Sequence, residues 1–422
     1  MKKIWVVGLW YVWLPLAYHL AKKWNQIVWF DVSKRKLEEL RKWFDATQEI
    51  WDCISEVNID YTDDKEKLRD RDIIIVTVPT PVNKNNDPDY TPLIKASETI
   101  GSVLKEWQIV VYESTVDPGA TEEICLPILE EKSWLKCPSD FNLWYSPERI
   151  NPWDKEHTVD KIAKVVSASS SEALEILAEM YGSITSWEIH KSPSIKVAET
   201  SKIIENTQRD INIAVINEIA KICDKLWIST YDVLEASWTK WNFLKFTPGL
   251  VWWHCIWVDP YYLAKRAQKL WLHPDVILSG RRINDDMPIW VADQVIKMMI
   301  KNKIDISHAK ILILWLTFKE NVPDFRNSKI STTIKELKDF WLDIKWYDPY
   351  HTYLHEHDIE ELNLENSEII DNLDWKYDCV IFAQSHKEFE NIDINNLLND
   401  NWVIFDIKWK LRNKGFKNYK TL

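Results

Sequence analysis

Glycine is scarce in this chain, which has only 7 glycines in 422 residues, whereas glycine makes up roughly 7% of average proteins. Glycine supplies the positive backbone φ angles of tight turns and helix ends, and it lets a backbone approach bound phosphate groups closely. Taken literally, this scarcity excludes most glycine-rich phosphate loops and most left-handed helix caps.

Other absences narrow the class of protein. The six cysteines form no C-x-x-C pair, which argues against a disulfide framework or a zinc site and favours a reducing cytoplasm. No apolar run reaches the ~18 residues of a membrane span, so we expect a soluble protein with no membrane partner. His351, His355 and His357 match no standard zinc spacing, and we expect no metal. The net charge of −12 argues against nucleic acid as a partner.

Tryptophan is abundant instead, with 26 residues, and it stands where a fold needs glycine. The first apolar run leads into the segment 8–13, GLWYVW, which has the spacing G-x-G-x-x-G with two glycines replaced. Trp24 and Trp341 follow helical runs, where a left-handed residue, normally glycine, ends a helix. We therefore hypothesise that most of these tryptophans are UGA codons, which some bacteria translate as glycine. Reading 24 of the 26 in this way gives 31 glycines, an ordinary content.

The alternative is a chain that is naturally rich in tryptophan. Tryptophan has no physical reason to prefer helix ends and phosphate loops, so we interpret the motifs with glycine restored. Trp241, in a Thr-Lys-Trp-Asn-Phe segment, and Trp290, inside an amphipathic helix, are interpreted as genuine tryptophans.

Short apolar runs alternate with amphipathic segments over the first 190 residues, which predicts a parallel sheet covered on both faces. Strands are predicted at 4–7, 26–30, 72–78, 109–113, 142–146 and 164–168, and later at 310–314, 342–347, 378–383 and 403–407. The pattern predicts an α/β protein with three domains. They are an N-terminal Rossmann domain at 1–190, a central helical domain with a long helix at 191–302, and a smaller C-terminal Rossmann-like domain at 303–422.

The first βαβ unit carries the signature of a dinucleotide site. Asp31 lies 23 residues after Gly8 and ends the second predicted strand, where an acid binds the adenosine ribose and disfavours a 2′-phosphate. We therefore predict NAD as cofactor, with Thr80 and Thr115 following two further strands at the same sheet edge. The loop residues predicted to contact the pyrophosphate are Gly8, Trp10, Tyr11, Val12 and Trp13.

Cys255 lies between a loop that would be rich in glycine, including Trp252, and the pair Asp259-Pro260, a typical helix start. A cysteine near a helix N-terminus lies in positive potential, which favours the thiolate. The alternative is a structural cysteine.

Lys202, Asn206 and Arg209 stand at i, i+4 and i+7 of the long predicted helix and share one face. Such a stripe fits an anionic ligand, and the alternative is a solvated face.

Four segments together resemble the nucleotide-sugar 6-dehydrogenase family, which includes UDP-glucose dehydrogenase. They are YSPERINPWD (145–154), AETSKIIENTQRDINIAVINE (198–218), TKWNFLKFTPGLVWWHCIWVDPYYL (239–263) and LTFKENVPDFRNSK (316–329). The chain is most similar to the UDP-N-acetylhexosamine branch of capsule and O-antigen pathways, because the 255–259 segment lacks the proline and lysine of the UDP-glucose branch.

The resemblance implies a four-electron oxidation of a sugar CH2OH to a carboxylate by two NAD+, with a C-terminal UDP-binding domain. The implied roles are a Cys255 nucleophile, Asp259 and Glu148 as acid/base groups, and Lys202 and Asn206 as stabilisers of oxyanions. The implied contacts to the UDP-sugar are Arg149, Ile150, Lys202, Asn206, Arg209, Trp252, Lys319 and Arg326. A homodimer or higher homo-oligomer in the cytoplasm is expected.

The sequence leaves three other functions open. One is a UDP-ManNAc or UDP-glucose 6-dehydrogenase. Another is a two-electron hydroxyacid-type dehydrogenase, which needs neither Cys255 nor the last domain. The third is an inactive pseudoenzyme with genuine tryptophans.

Overall fold

The computed structural model describes residues 3–8, 13–23, 27–42, 55–83, 85–151, 154, 156–251, 254–317, 319–326, 328–354, 356–362 and 364–422. Contacts divide the chain into two units. The first is Met1–Glu205 with Tyr261–His273, and the second is Asn206–Pro260 with Pro274–Leu422.

The first unit is built on a sheet of short, apolar strands. They are β1 Ile4–Val7, β2 Ile27–Phe30, β3 Ile59–Thr62, β4 Ile73–Val76, β5 Ile109–Tyr112, β6 Asn142–Tyr145, β7 Lys164–Ala168 and β8 Ile189–Lys191. Their order in the sheet is β3-β2-β1-β4-β5-β6-β7-β8, and only the β6–β7 pair is antiparallel. The chain reverses its direction of progress between β1 and β4, which is where ligands bind in sheets of this kind.

Helices cover both faces of this sheet. They are α1 Leu14–Lys23, α2 Lys34–Arg41, α3 Thr91–Gly101, α4 Leu126–Ser133 and α5 Ser171–Gly182. Alternate strand residues point to opposite faces, so Ile4 and Val6 pack in the core under α1 and α5, whereas Trp5 and Val7 pack under α3 and α4. This two-sided burial explains why the strands are almost wholly apolar.

The middle of the chain is helical, as predicted. It contains α6 Ile195–Leu226, α7 Thr230–Trp238, α8 His254–Lys269, α9 Asp275–Asp285 and α10 Met287–Lys301. In the second unit a buried ion pair joins α6 to α9, since Arg281 Nη1 lies 2.5 Å from Asp210 Oδ1. Asn284 also donates to Asp210 Oδ1 (2.7 Å), so this buried carboxylate is bound by two donors.

A second parallel sheet lies in the second unit. Its elements are β9 Lys310–Leu314, α11 Ile330–Lys338, β10 Asp343–Tyr347, α12 Glu356–Glu361, β11 Tyr377–Phe382, β12 Leu398–Asp406 and β13 Tyr419–Thr421, and its strand order is β10-β9-β11-β12-β13. The predicted α/β architecture with a helical middle segment is confirmed. Among the described residues, no helix combines the length and the apolar character that crossing a membrane requires.

The predicted start of the helix after Cys255 is wrong. Asp259 and Pro260 were expected to begin it, but α8 begins at His254 and contains Pro260 in its second turn. A proline lacks only the N–H that would bond four residues back, so it is tolerated close to a helix N-terminus better than in a helix centre. Asp259 therefore lies inside α8 and is not its N-cap.

Candidate active site

Gly8 closes the first strand in a conformation that only glycine adopts readily. Its φ is +105°, and a Cβ built on it would lie 3.0 Å from the backbone of Thr77. The Gly8 amide donates to the Phe30 carbonyl (3.0 Å), and Thr77 Oγ1 donates to the Gly8 carbonyl (2.8 Å). The backbone therefore enters the predicted dinucleotide loop in a fixed direction at the carboxyl edge of β1.

Asp31 lies at the same sheet edge, directly after β2, and is buried. Its Oδ1 accepts a hydrogen bond from the Ser33 amide (2.7 Å), which holds the carboxylate beside the strand end. The tight Gly8 turn and the adjacent acid fit the adenosine half of NAD. Trp13 is buried just before α1, while Trp10, Tyr11 and Val12 lie outside the described residues.

The structure brings together the two threonines predicted at the cofactor edge. Thr80 Oγ1 donates to the Thr115 carbonyl (2.7 Å), which links the loops that follow β4 and β5. Tyr262, on α8, donates to the Thr80 carbonyl (2.9 Å) from within the same unit. These contacts hold the two loops together at the carboxyl edge of the sheet.

Glu148 follows β6 and is buried at the carboxyl edge of the sheet. Its Oε1 accepts from the amides of Arg149 (2.6 Å) and Ile150 (2.7 Å), because the chain turns tightly there. Its Oε2 lies 3.1 Å from Lys164 Nζ. The carboxylate predicted for acid/base work is therefore held by three donors.

The two residues after Glu148 were predicted to contact the substrate. The Arg149 guanidinium pairs with Glu205 of α6 (Nη2–Oε1 2.8 Å) and donates to the Ala163 carbonyl (3.2 Å). Ile150 packs against the core under α5. Both residues are thus anchored within the first unit, and the Arg149 charge is partly neutralised by Glu205.

In the second unit, two predicted catalytic residues contact each other. Asn206 Nδ2 donates to Asp259 Oδ2 over 2.6 Å, and Asp259 is only 2% exposed. Cys255 is exposed in the first turn of α8, one turn before Asp259 on the same helix face. The helix N-terminus favours a thiolate at this position. Trp252 lies outside the described residues.

The long helix carries the predicted polar stripe. Lys202 is buried, Asn206 is half-buried and Arg209 is exposed. Lys202 belongs to the first unit, whereas Asn206 and Arg209 belong to the second. One turn before Lys202, the buried Glu199 accepts from the amides of Gly119 (2.5 Å) and Thr121 (2.9 Å), and its pKa is raised to about 7, mainly by burial.

The loop after β9 carries Lys319 and Arg326, the predicted UDP contacts. Arg326 is half-buried and forms a two-point ion pair with Asp324 (Nη2–Oδ2 2.5 Å, Nε–Oδ1 2.8 Å). A cavity of about 660 Å³ lies at the carboxyl edge of the second sheet, and its lining includes Glu320, the residue after Lys319, and His386.

Two side chains missed at the sequence level shape this loop. Asp348, after β10, accepts from the amides of Leu316 (2.8 Å) and Thr317 (3.1 Å). His386, after β11, accepts at Nδ1 from the Asn321 amide (2.7 Å), which places the ring proton on Nε2 beside Thr317 Oγ1. The available signal was position, because Asp348 comes directly after β10 and His386 follows the apolar strand β11 by four residues.

Residues 2–185 match the NAD binding domain of the UDP-glucose/GDP-mannose dehydrogenase family, residues 196–286 its central domain, and residues 312–413 its UDP binding domain. The chain belongs to this family. It is an NAD-dependent dehydrogenase of nucleotide sugars, which confirms the predicted cofactor and enzyme class. The match to a UDP binding domain argues against the hydroxyacid-type alternative, and the comparisons do not support an inactive pseudoenzyme.

Individual relatives resemble the chain over nearly its whole length. The Protein CapL of Staphylococcus aureus is 49% identical over 411 residues, covering 96% of each chain. A UDP-N-acetyl-D-glucosamine 6-dehydrogenase of Pseudomonas aeruginosa is 45% identical over 417 residues, covering 97% of each chain. A solved structure of a UDP-D-ManNAc dehydrogenase from Pyrococcus horikoshii superposes with a TM-score of 0.88 at 27% identity, covering 99% of this chain and 98% of that one.

Proposed function

We propose that the protein oxidises the 6-hydroxymethyl group of a UDP-N-acetylhexosamine to a carboxylate, for the biosynthesis of a surface polysaccharide of the capsule or O-antigen type. The observation that carries this proposal is the Asn206–Asp259 hydrogen bond beside the exposed Cys255. A simple two-electron dehydrogenase has no need of a nucleophilic thiol. Two relatives at 45% identity, both UDP-N-acetyl-D-glucosamine 6-dehydrogenases, support the N-acetylhexosamine class.

The first oxidation removes a proton and a hydride from the C6 alcohol and leaves an aldehyde. NAD+, held by Gly8, Asp31 and the loop residues 10–13, would supply the hydride acceptor in both oxidations. Asp259 takes up the alcohol proton through a water molecule, and the Asn206 amide keeps its carboxylate oriented. Lys202 and Asn206 stabilise the developing oxyanion, at about 3 kcal/mol for each well-placed donor.

The second oxidation proceeds on the enzyme. The Cys255 thiolate adds to the aldehyde carbon, and loss of hydride from this thiohemiacetal gives a thioester. Glu148 then takes a proton from water as the water oxygen bonds to the acyl carbon, the C–S bond breaks, and the thiolate leaves. Covalent attachment retains the reactive aldehyde between the two oxidations.

Substrate recognition is assigned to residues from three parts of the chain. They are Arg149, Ile150, Lys202, Asn206, Arg209, Trp252, Lys319 and Arg326. Arg326 and Arg149 already pair with carboxylates, so a diphosphate would bind by competing with or joining these pairs. UDP-ManNAc and UDP-glucose are the alternative substrates, and a panel of UDP-sugars distinguishes them.

The proposed domain division is 1–190, 191–302 and 303–422, supported by the three family matches. We also propose a cytoplasmic homodimer or higher homo-oligomer. Its support is an exposed apolar stripe on α6, where side chains spaced by 7, 11, 7 and 4 residues share one helix face. They are Val197, Ile204, Val215, Ile222 and Leu226.

We further propose that most tryptophans of this chain are glycine in the native protein. Seven of the described tryptophans have a positive φ, between 54° and 91°, a range that favours glycine. Four of them, Trp134, Trp227, Trp271 and Trp341, come one to three residues after α4, α6, α8 and α11. That is the left-handed position at which glycine ends helices.

The stoichiometry of the reaction tests the proposed activity. Two NADH per sugar consumed, a uronate product and no free aldehyde are expected, because the thioester route couples both oxidations. NADH absorbance and product mass measured on the same sample give the ratio. A ratio of one NADH per sugar would rule out the covalent route.

A further inference from the structure

A cluster of four buried side chains lies behind Glu148 in the first unit. Its other members are Glu113, directly after β5, Lys164, the first residue of β7, and Tyr181, near the end of α5. Glu113 and Tyr181 are fully buried, and Glu148 and Lys164 are each 6% exposed. Buried charges are expensive unless they are paired, so the contacts within this cluster decide what it can do.

Lys164 connects the two carboxylates. Its Nζ lies 3.2 Å from Glu113 Oε2 and 3.1 Å from Glu148 Oε2. Tyr181 donates its hydroxyl to Glu113 Oε1, and its ring lies 4.9 Å from Lys164 Nζ, within cation–π range. The ammonium is therefore held between two carboxylates and an aromatic face.

The electrostatics of the cluster depend on this single cation. Burial lowers the pKa of Lys164, but the attraction of Glu113 and Glu148 outweighs burial, so the net shift is upward. Burial raises the pKa of Glu113, and the charge of Glu148 adds to this against the attraction of Lys164. Lys164 thus stays charged at neutral pH, and burial disfavours the charged form of Glu113.

These contacts fix the orientation of the Glu148 carboxylate and leave it able to accept a further hydrogen bond. A carboxylate offers about four acceptor positions, and the amides of Arg149 and Ile150 together with Lys164 Nζ use three of them. Among the contacts of the described residues, one position remains for a further donor. A general base that activates water for attack on a thioester needs this arrangement, namely a carboxylate that is held still and can accept one proton from the water.

We propose that Lys164 is a positioning residue for thioester hydrolysis, which holds the Glu148 carboxylate through a direct ion pair while Glu113 and Tyr181 hold Lys164. This inference rests on the role of Glu148 in the proposed function. Lys164 contacts neither substrate nor cofactor in this role and acts only through Glu148. Its loss should therefore affect the last chemical step and leave the two oxidations nearly unchanged.

The test compares Lys164→Met with Lys164→Arg and Glu148→Gln, in protein produced with the residues that mass spectrometry of the native enzyme identifies. A positioned base contributes about 10²- to 10⁴-fold, so Glu148→Gln should slow steady-state turnover at least ~100-fold and Lys164→Met at least ~10-fold. Both should show a rapid burst of two NADH per active site. Acid-quenched protein should carry a uronyl adduct on Cys255. Lys164→Arg keeps the cation and should restore most of the turnover.

Lys191→Met is the matched control, because Lys191 lies on the adjacent strand β8 and pairs with Glu175 at the surface (2.5 Å). It should behave like the unsubstituted enzyme. If Lys164→Met fails to fold, the double variant Lys164→Met/Glu113→Gln decides, since it removes the cation and one carboxylate and keeps the net charge of the cluster. Retained NAD+ binding reports that the first unit is folded.

Two results separate the inference from the proposed function. If Glu148→Gln accumulates the adduct while the folded double variant turns over normally without it, the role of Lys164 is wrong and that of Glu148 stands. If Glu148→Gln itself hydrolyses the thioester at the normal rate, the assignment of Glu148 is wrong and the inference falls with it. A Lys164→Met enzyme slowed equally in every step, with no adduct, also overturns the inference.

Discussion

At the scale of single residues, the proposed mechanism assigns to Cys255 the chemistry that would distinguish this enzyme from simple dehydrogenases. Its position in the first turn of α8 favours a reactive thiolate, because the helix N-terminus stabilises negative charge. Cys255→Ala should abolish the second oxidation, and Cys255→Ser should cut turnover by about 10³-fold or more because a hydroxyl is a far weaker nucleophile at neutral pH. Single-turnover NADH release measures both effects.

The Cys255 variants should keep their affinity for NAD+, since the cofactor residues Gly8 and Asp31 belong to the other unit. Titration of intrinsic fluorescence with NAD+ checks this point. The Lys202→Ala variant should also lose most of its turnover, but its Cys255 thiol should still react with iodoacetamide. Uronate formation at a near-normal rate by Cys255→Ala contradicts the mechanism.

We propose that Asp31 sets the choice of cofactor. Its buried carboxylate at the end of β2 would repel a 2′-phosphate and accept hydrogen bonds from a ribose. Asp31→Ala should therefore weaken the use of NAD+ by about 10-fold, the order of one charge-assisted hydrogen bond, and narrow the gap to NADP+. The ratio of kcat/KM for the two cofactors measures the change. Asp64→Ala, in an acidic segment after β3, is a control that should leave this ratio unchanged. Equal use of both cofactors by the unsubstituted enzyme would contradict the role of Asp31.

At the scale of elements, the strands that sequence patterns predicted are the central ones, together with β10. The three that were missed, β3, β8 and β13, all lie at sheet edges. Edge strands bury less side-chain surface, so their apolar pattern is weak; β8, Ile-His-Lys, has no fully buried residue. A strand that is buried on both faces needs an almost continuous run of apolar residues, and such a run can be recognised in the sequence.

The residues of the candidate site also fall into those that the sequence could predict and those that it could not. Gly8 and Asp31 could be predicted because one βαβ unit contains both, and Lys202 and Asn206 because one helix does. The partners of Lys164 come from the residue after β5, the loop after β6 and helix α5, up to 51 residues away in sequence. The available signal was a lysine at the start of a largely apolar strand. A buried lysine needs a partner, but the sequence does not show which residue that is.

Glu199 ties the start of α6 to the turn at residues 119–121 and gives this contact a pH dependence. Burial raises its pKa to about 7 from an ordinary 4.5, so the folded protein binds more protons than the unfolded chain between these values. Stability should therefore fall as the pH rises from about 4.5 to 7. Relative to Glu199→Gln, the free energy of unfolding of the wild type should fall by up to about 3 kcal/mol between pH 4.5 and 7.

Urea unfolding of both proteins at several pH values measures this difference. Glu122→Gln, on an exposed neighbour of the same turn, is the matched control and should follow the wild type. A wild-type curve parallel to that of Glu199→Gln from pH 4.5 to 8 contradicts the prediction.

At the scale of the whole molecule, the tryptophans are incompatible with ordinary stability. A non-glycine residue in left-handed conformation costs roughly 1–2 kcal/mol, so seven tryptophans with positive φ cost on the order of 10 kcal/mol. Six described tryptophans also bury an indole N–H that has no partner, each at about 1–3 kcal/mol. They are Trp5, Trp13, Trp144, Trp238, Trp315 and Trp346. Together these penalties match or exceed the 5–15 kcal/mol that typically stabilises a folded protein.

We therefore expect the native chain to carry glycine in place of most of its tryptophans, including these. Peptide mass spectrometry of protein from its source should find glycine at residues 10, 13, 252, 253, 257 and 315, and tryptophan at 241, which is 92% exposed. Tryptophan at residue 10 in active native enzyme contradicts the recoding. Protein made with all 26 tryptophans should be misfolded or inactive, whereas the chain with glycine at 24 of them should unfold cooperatively. Changing only Trp241 to glycine in that restored chain is the control and should leave its stability unchanged, because a solvated side chain contributes little to folding.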